Sequence, residues 1–392
     1  MSPSYTQPFA DAVVEAEKLV ESASFIQTEQ DLLEGYDYLA GSIRASLQMA
    51  WAFDREFPFF INSTNQHTKM GLDNPDTIYH HANITADAEY VVTGRRGTTA
   101  DLSFQVMNGD YSPASSPDSL AAFDDRAITI GADAGFELRF GPAVDNPPAD
   151  YLALGPGSAM LIVREVFSDW DNEERGEIHI QRVDTAGSHP APPSHEGMAK
   201  KYAVAGKILL ARIRTWFAFP KWSYLHEPVN TLTTPRVTPG GLSSQFSSVG
   251  HYDLADDQAM IVTVPDSGMP YQGIQLGSMW YVSLDYINHQ TSLTADQAAV
   301  DPDGKIRFVI SERDPGVVNW LEALGHTRGY VQLRWQHVSR ELTESDGPVA
   351  EVVKLDELAD QLPYHAESRI AADDWAARIA ARQRAVARKM IG

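Results

Sequence analysis

The chain has 392 residues, 43% of them apolar and 21% charged, enough for a sizeable core and too apolar for global disorder. Its 31 basic and 53 acidic side chains give a formal charge of −22, which repels phosphate backbones and anionic bilayers, so neither nucleic acid nor a membrane is an expected partner. There is no Cys, which excludes disulfides, thiolate metal sites and cysteine nucleophiles.

The first twenty residues lack a basic leader and carry Asp11, Glu15 and Glu17 where a signal peptide needs an apolar run. No stretch approaches the roughly 18 apolar residues of a membrane span. A soluble, cytoplasmic protein is expected. From Ala10 to Phe53 apolar residues recur at helical spacing, through Leu32, Leu33, Tyr36, Leu39, Ile43, Leu47 and Trp51, with a capping pattern from Thr28 to Asp31.

After residue 84 the period becomes two. "AEYVVTGRRGTTADLSFQV" reads as strand, Gly-flanked turn and strand, and "RAITIGADAGFELRF" repeats that arrangement. "SAMLIVREVF" and "GEIHIQRV" continue the sheet around the acidic segment "SDWDNEERG". Residues 195–219 return to helical spacing and stop at Pro220. The connection "NTLTTPRVTPGGLSSQFSSVG" is long enough to suggest a functional loop. Strand spacing resumes in "AMIVTVP", "SMWYVSLDYI", "KIRFVIS" and "GYVQLRWQHV", and the chain ends in a helix with Asp373 and Asp374 at its start and Arg384, Arg388 and Lys389 at its end.

These elements define a mainly β protein with flanking helices: a helical region over 1–70, a β-sandwich or jelly-roll-like body over 71–345 with a helix inserted at about 195–219, and C-terminal helices over 346–392. One large β body is expected, because neither strand-rich half offers enough strands to bury both faces.

No GxGxxG, Walker loop, GxSxG elbow or HExxH is present, and the 12 His form no H-x-H pair. "DWDNEERGE" imitates the first ligands of a calcium loop but places Glu174 where that loop needs Gly, so an acidic turn is expected. "DPDG" at 301–304 reads as a hairpin turn.

The densest titratable chemistry is "GLDNPDTIYHHANI", residues 71–84. Pro75 holds Asn74 extended, and Asp73 and Asn74 can tie the turn. In a strand from Ile78 to Ile84, Tyr79 and His81 share one face and His80 takes the other. Asp76 at the strand entry could serve as acid or base beside Tyr79 or one of the His; the plainer reading is a loop tied by its own side chains. In "GSMWYVSLDYINHQTSL" an alternation from Trp280 sets Tyr281, Ser283 and Asp285 on one face, with His289 following. "SERDPGVVNWL" adds Asn319 and Trp320, which serve equally well as core packing.

"DNPDTIY", "MWYVSLDY", the Asp-Gly strand after it and "DPGVVNWL" together resemble the family called domain of unknown function 1214, related to domain of unknown function 1254. The resemblance covers residues 71–83 and about 258–338. It implies a jelly-roll-like β domain, with an immunoglobulin-like β domain contributed by the related family, and matches Asn74, Asp76, Thr77, Tyr79, Asn319 and Trp320. Glu322 replaces a frequent Pro, and the His pair follows the motif Tyr where Ser is common.

The expectation is a cofactor-independent enzyme of dehydratase or hydratase type, with no metal, acting on a small apolar substrate. Asp76 would be acid or base, Tyr79, His81 and His80 would donate or orient, and Asn74, Trp280, Tyr281, Asp285, His289, Asn319 and Trp320 would hold the substrate. The competing readings are a small-molecule or carbohydrate-binding β module and a metal-assisted hydrolase. Self-association into a homo-oligomer stays open.

Overall fold

The computed structural model describes residues 4–110, 112–113, 116–237, 242 and 245–391. Helices α1 (Gln7–Glu21) and α2 (Glu29–Ala52) are separate, broken by the cap that the sequence places at Thr28. The Thr28 hydroxyl accepts the Asp31 N–H at 3.0 Å, and the Asp31 carboxylate accepts the Thr28 N–H at 2.9 Å. Together with α3 (His195–Ser223), which runs through Pro220 rather than stopping there, they bury Ala16, Val20, Leu39, Leu209 and Ile213 around Trp280. Gly35 permits this approach, since a Cβ there would lie 2.3 Å from the Trp280 ring.

The first eight strands form two sheets. One has the order β1 (Thr77–Asn83), β7 (Met160–Val166), β3 (Asp101–Met107), β4 (Ser119–Asp124); the other has β6 (Tyr151–Ala153), β5 (Gly135–Gly141), β2 (Tyr90–Arg95), β8 (Glu177–Arg182). Phe104, Val106, Leu161 and Val163 from the first meet Tyr90, Val92, Leu138, Phe140 and Ile180 from the second in one core. Two expectations change here. The turn after Arg95 does not make a hairpin, because β2 and β3 belong to opposite sheets. "RAITI" forms a short 3-10 turn and extended chain rather than a strand, so only the second half of that segment enters a sheet.

The remaining ten strands form a second sandwich. Its sheets run β10 (Arg236–Val237), β11 (Phe246–Asp253), β17 (Arg328–Gln336), β13 (Tyr271–Gly277), β14 (Ser292–Thr294), with β9 (Thr231–Leu232) also on β11, and β16 (Trp320–Glu322), β15 (Lys305–Ser311), β12 (Gln258–Pro265), β18 (Val349–Lys354). Ile274, Leu276, Leu333 and Trp335 face Val262, Ile306, Phe308 and Ile310 across the gap. Two sandwiches with separate cores thus stand where one β body is expected, because β11, β13 and β18 give the second half enough strands to cover both of its faces.

"SMWYVSLDYI" is not a strand. Tyr281 adopts φ +58 and donates its N–H to the Ser278 carbonyl at 2.9 Å, and Ser278 donates to Val282 at 3.0 Å. Asp73 then fixes the segment by accepting the N–H and hydroxyl of Ser283. The Asp303-Gly304 segment turns as expected, with φ +75 at Gly304.

The outer face of the β1–β7–β3–β4 sheet is covered over β3, while β4 is exposed at Ser119 and Leu120. Every residue of β3 is buried, the polar ones Asp101, Ser103 and Gln105 alternating with core residues Leu102, Phe104 and Val106. Gln332 and Arg334 alternate in the same way with Val331, Leu333 and Trp335 on β17. The two sandwiches therefore oppose polar outer faces. After the short helices α4 (Leu358–Gln361) and α5 (His365–Ser368), α6 (Ala372–Ile391) seals one end of this junction. No helix among the described residues is long and apolar enough to cross a membrane.

Candidate functional site

A cavity of about 170 Å³ lies between the opposed faces. Tyr79 and His81 of β1, Ile162 and Arg164 of β7, and Gln332 and Arg334 of β17 supply its walls, and Trp216, Phe219 and Leu242 supply apolar surface. The volume is below the roughly 300–1,000 Å³ of pockets for drug-sized ligands.

Arg334 is the most consequential group in it. Its guanidinium donates to the Leu72 carbonyl at 2.6 Å, to Gln332 Oε1 at 2.7 Å and to Gln275 Oε1. All three acceptors are neutral, and no carboxylate lies within ion-pair distance of Arg334 among the described residues. Its Nε–H and one Nη1–H have no acceptor among those bonds. A buried cation so placed favours an anion brought beside it. Arg164, on the facing sheet, donates to Gln105 at 2.8 Å.

His81 Nδ1 lies 3.2 Å from the Ser63 hydroxyl, and burial pushes the imidazole down to about 4, so it is neutral at pH 7. The Tyr79 oxygen accepts the Asn74 N–H at 3.0 Å, and burial raises its phenol. Tyr224 donates to Gln332 at 2.9 Å, its phenol pushed up to about 12 by burial. Leu72 and Tyr281 form one wall with left-handed backbones, φ +50 and +58, joined by the Leu72 N–H to Tyr281 carbonyl bond at 2.7 Å. Asp73 is raised by burial, opposed by Lys69, Ser283 and Arg334.

The structure brings together Asp73, Tyr79, His81 and Tyr281 of the residues singled out in the sequence, with Tyr79 and His81 on one strand face and His80 on the other. His80 packs edge-on to Phe60 beside a separate surface depression. Asp76 does not line the cavity. It is 1% exposed, accepting the Trp170 indole N–H at 2.9 Å and the Tyr271 hydroxyl at 2.7 Å, while Asn74 donates to the same Tyr271 oxygen at 2.9 Å. Lys389 donates to the Pro75 carbonyl, with Arg382 nearby. This is an anchor for α6.

Trp280 is core, its N–H given to the Asp31 carbonyl at 2.7 Å. Asp285 ties its own turn through Asn288 and borders a separate depression with Lys69 and His326. His289 pairs with Glu322 at 2.9 Å. Asn319 holds both backbone groups of Ala299 at 2.8 Å, and Trp320 donates to the Ser311 carbonyl while packing against Trp375. None of these five borders the cavity. In the long connection, Leu242 and Gln245 reach the cavity; residues 238–241 and 243–244 lie outside the described residues.

Arg334, Gln332, Arg164, Trp216 and Tyr224 are not singled out by sequence. The polar face of "YVQLRWQ" is the one available signal, and it is indistinguishable from a solvated strand face until the first sandwich covers it.

No family model matches the chain, and no curated protein matches it. Among solved structures, an uncharacterized protein of Burkholderia cenocepacia is similar over 89% of this chain and 96% of its own, at 26% identity and a TM-score of 0.79. A Vibrio parahaemolyticus protein aligns over 86% of this chain and 100% of its own, at 13% identity and a TM-score of 0.47. The first likeness extends this fold to a second chain.

Proposed function

We propose that the protein binds a small organic anion with an apolar body in the cavity between its sandwiches. The observation that carries the reading is Arg334, a buried guanidinium whose hydrogen bonds all go to neutral acceptors at the cavity wall. A carboxylate would take its remaining N–H groups, and Trp216, Phe219 and Leu242 would cover the apolar part. Thermal shift and calorimetry with paired small carboxylates and their isosteric amides test this. Carboxylates should stabilise the wild type and lose at least tenfold in affinity on Arg334→Lys, which keeps the charge but not the planar donors. Equal effects of acids and amides would overturn it.

An acid–base enzyme of dehydratase or hydratase type is the second reading, favoured by His81, neutral at pH 7 and on the same strand face as Tyr79. Asp76 has no part in it, since its carboxylate is sealed outside the cavity. Gain or loss of one water by a retained ligand, abolished by His81→Gln with binding intact, would separate catalysis from binding. Retention without conversion leaves the binding module.

A further inference from the structure

We propose that Asp101, Asp125 and His337 form a site for one divalent cation, of the Mn2+ or Zn2+ class, that ties the two sandwiches together. One ligand atom from each lies within 4.8 Å of the others. Asp101 opens β3 and Asp125 follows β4 in the first sandwich, whereas His337 follows β17 in the second. The set is therefore split across the junction, away from the residues that line the cavity.

Four side-chain atoms at this point have no hydrogen-bond partner among the described residues. Asp101 is 1% exposed, and its carboxylate oxygens make no well-formed hydrogen bond among the described residues, with the Ser103 hydroxyl beside them. Asp125 Oδ1 and His337 Nε2 are likewise buried without a hydrogen bond, and they face each other 3.5 Å apart, an ion pair only when the imidazole is protonated. Two ligands about 2.1 Å from a metal at a tetrahedral angle are about 3.4 Å apart, so this pair already has suitable spacing. Leaving such groups unpaired inside a protein is costly, which is why buried carboxylates are normally hydrogen-bonded or coordinated.

The atoms turned away from the cluster are held as a ligand set requires. His337 Nδ1 lies 3.1 Å from the Ala100 carbonyl. A carbonyl only accepts, so Nδ1 carries a proton, and the lone pair available to a metal is that of Nε2. Asp125 Oδ2 takes the Arg96 Nε–H at 2.6 Å, which fixes the carboxylate and leaves Oδ1 facing the cluster. Arg96 also offsets one of the two acidic charges, leaving the site attractive to a cation without requiring a strongly charged one. His337 holds a left-handed backbone, φ +57, a conformation rare for a side chain of its size. One imidazole and two carboxylates suit Mn2+ or Zn2+ better than Ca2+, which takes oxygen ligands alone.

The test uses the full chain, stripped with chelator, desalted and titrated calorimetrically with Mn2+, Zn2+, Ca2+ and Mg2+ separately, with melting temperature followed in parallel. One equivalent of Mn2+ or Zn2+ should bind and raise the melting temperature. Asp101→Asn and His337→Asn should each weaken that binding at least tenfold and remove the melting shift, while the stripped variants melt within a few degrees of the stripped wild type. Asn is chosen at 337 because it tolerates the left-handed backbone and can still donate to Ala100. Absence of stoichiometric binding by any of the four ions would overturn the proposal, as would binding that both variants retain, which would place the ion elsewhere on the acidic surface.

Discussion

Tyr271 donates its hydroxyl to Asp76 at 2.7 Å, joining the strand-entry turn of the first sandwich to an inner strand of the second. The Asp76 carboxylate also accepts Trp170 and faces the Arg382 guanidinium and the Lys389 amine of α6, the latter pushed down to about 7 by burial. Asp76→Asn keeps the shape but removes the carboxylate that faces Arg382 and Lys389. A loss of about 3 kcal/mol in urea unfolding is expected. Adding Lys389→Met should recover part of it, a coupling that a double-mutant cycle would measure. Binding in the cavity should be unchanged in the folded single variant, because Asp76 borders none of it.

His81 gives the protein an acid sensitivity with a defined sign. Its folded pKa, about 4, lies below the 6.5 of an ordinary imidazole, so the unfolded chain binds the extra proton first as pH falls. Stability from this group is complete above pH 6.5 and is lost between 6.5 and 4. His80, also pushed down to about 4 by burial, acts in the same direction. The difference between wild type and His81→Gln isolates one group from carboxylates that titrate the opposite way. At pH 4.5 the wild type should have lost about 2 kcal/mol more than the variant, relative to pH 7, in denaturant melts. Parallel curves would place His81 in a wetter setting than the cavity wall.

What the sequence makes legible is local. The capping pattern at Thr28, the strand faces of Tyr79, His80 and His81, and the Asp-Gly turn at 303–304 depend on neighbours within a few residues, and the structure has each of them. The assembly of distant pieces is what periodicity cannot resolve. Trp280 and Tyr281 look like successive strand residues, yet they enter different cores because a left-handed turn at Tyr281 redirects the chain. Asp76 offers the chemistry of a base, but α6, three hundred residues later, covers it. Arg334 has the opposite history: its strand face looks solvent-facing until a second sheet closes over it.

The Thr28 cap is a separable test of the helical layer. Thr28→Ala removes the acceptor of the Asp31 N–H and should cost about 1 kcal/mol. Thr28→Ser should restore most of it, since the hydroxyl is the bonding group. Hydrogen exchange localised to the first turn of α2 would show the change most directly, because Trp280 continues to pack on the later turns.

Gly71 links the cavity wall to the backbone that shapes it. It has φ +65, and a Cβ there would lie 2.8 Å from the Trp216 ring. Gly71→Ala therefore combines two penalties: a left-handed backbone, about 1–2 kcal/mol, and displacement of an indole that lines the cavity. Gly268 provides the control, with φ +61 and open space around its missing Cβ. Gly268→Ala should show the backbone penalty alone in thermal unfolding and leave carboxylate binding intact. Gly71→Ala should lose more stability than Gly268→Ala and weaken the same ligand at least tenfold. If the two variants match in both measurements, Trp216 yields without disturbing the cavity and is not part of the surface that holds the ligand.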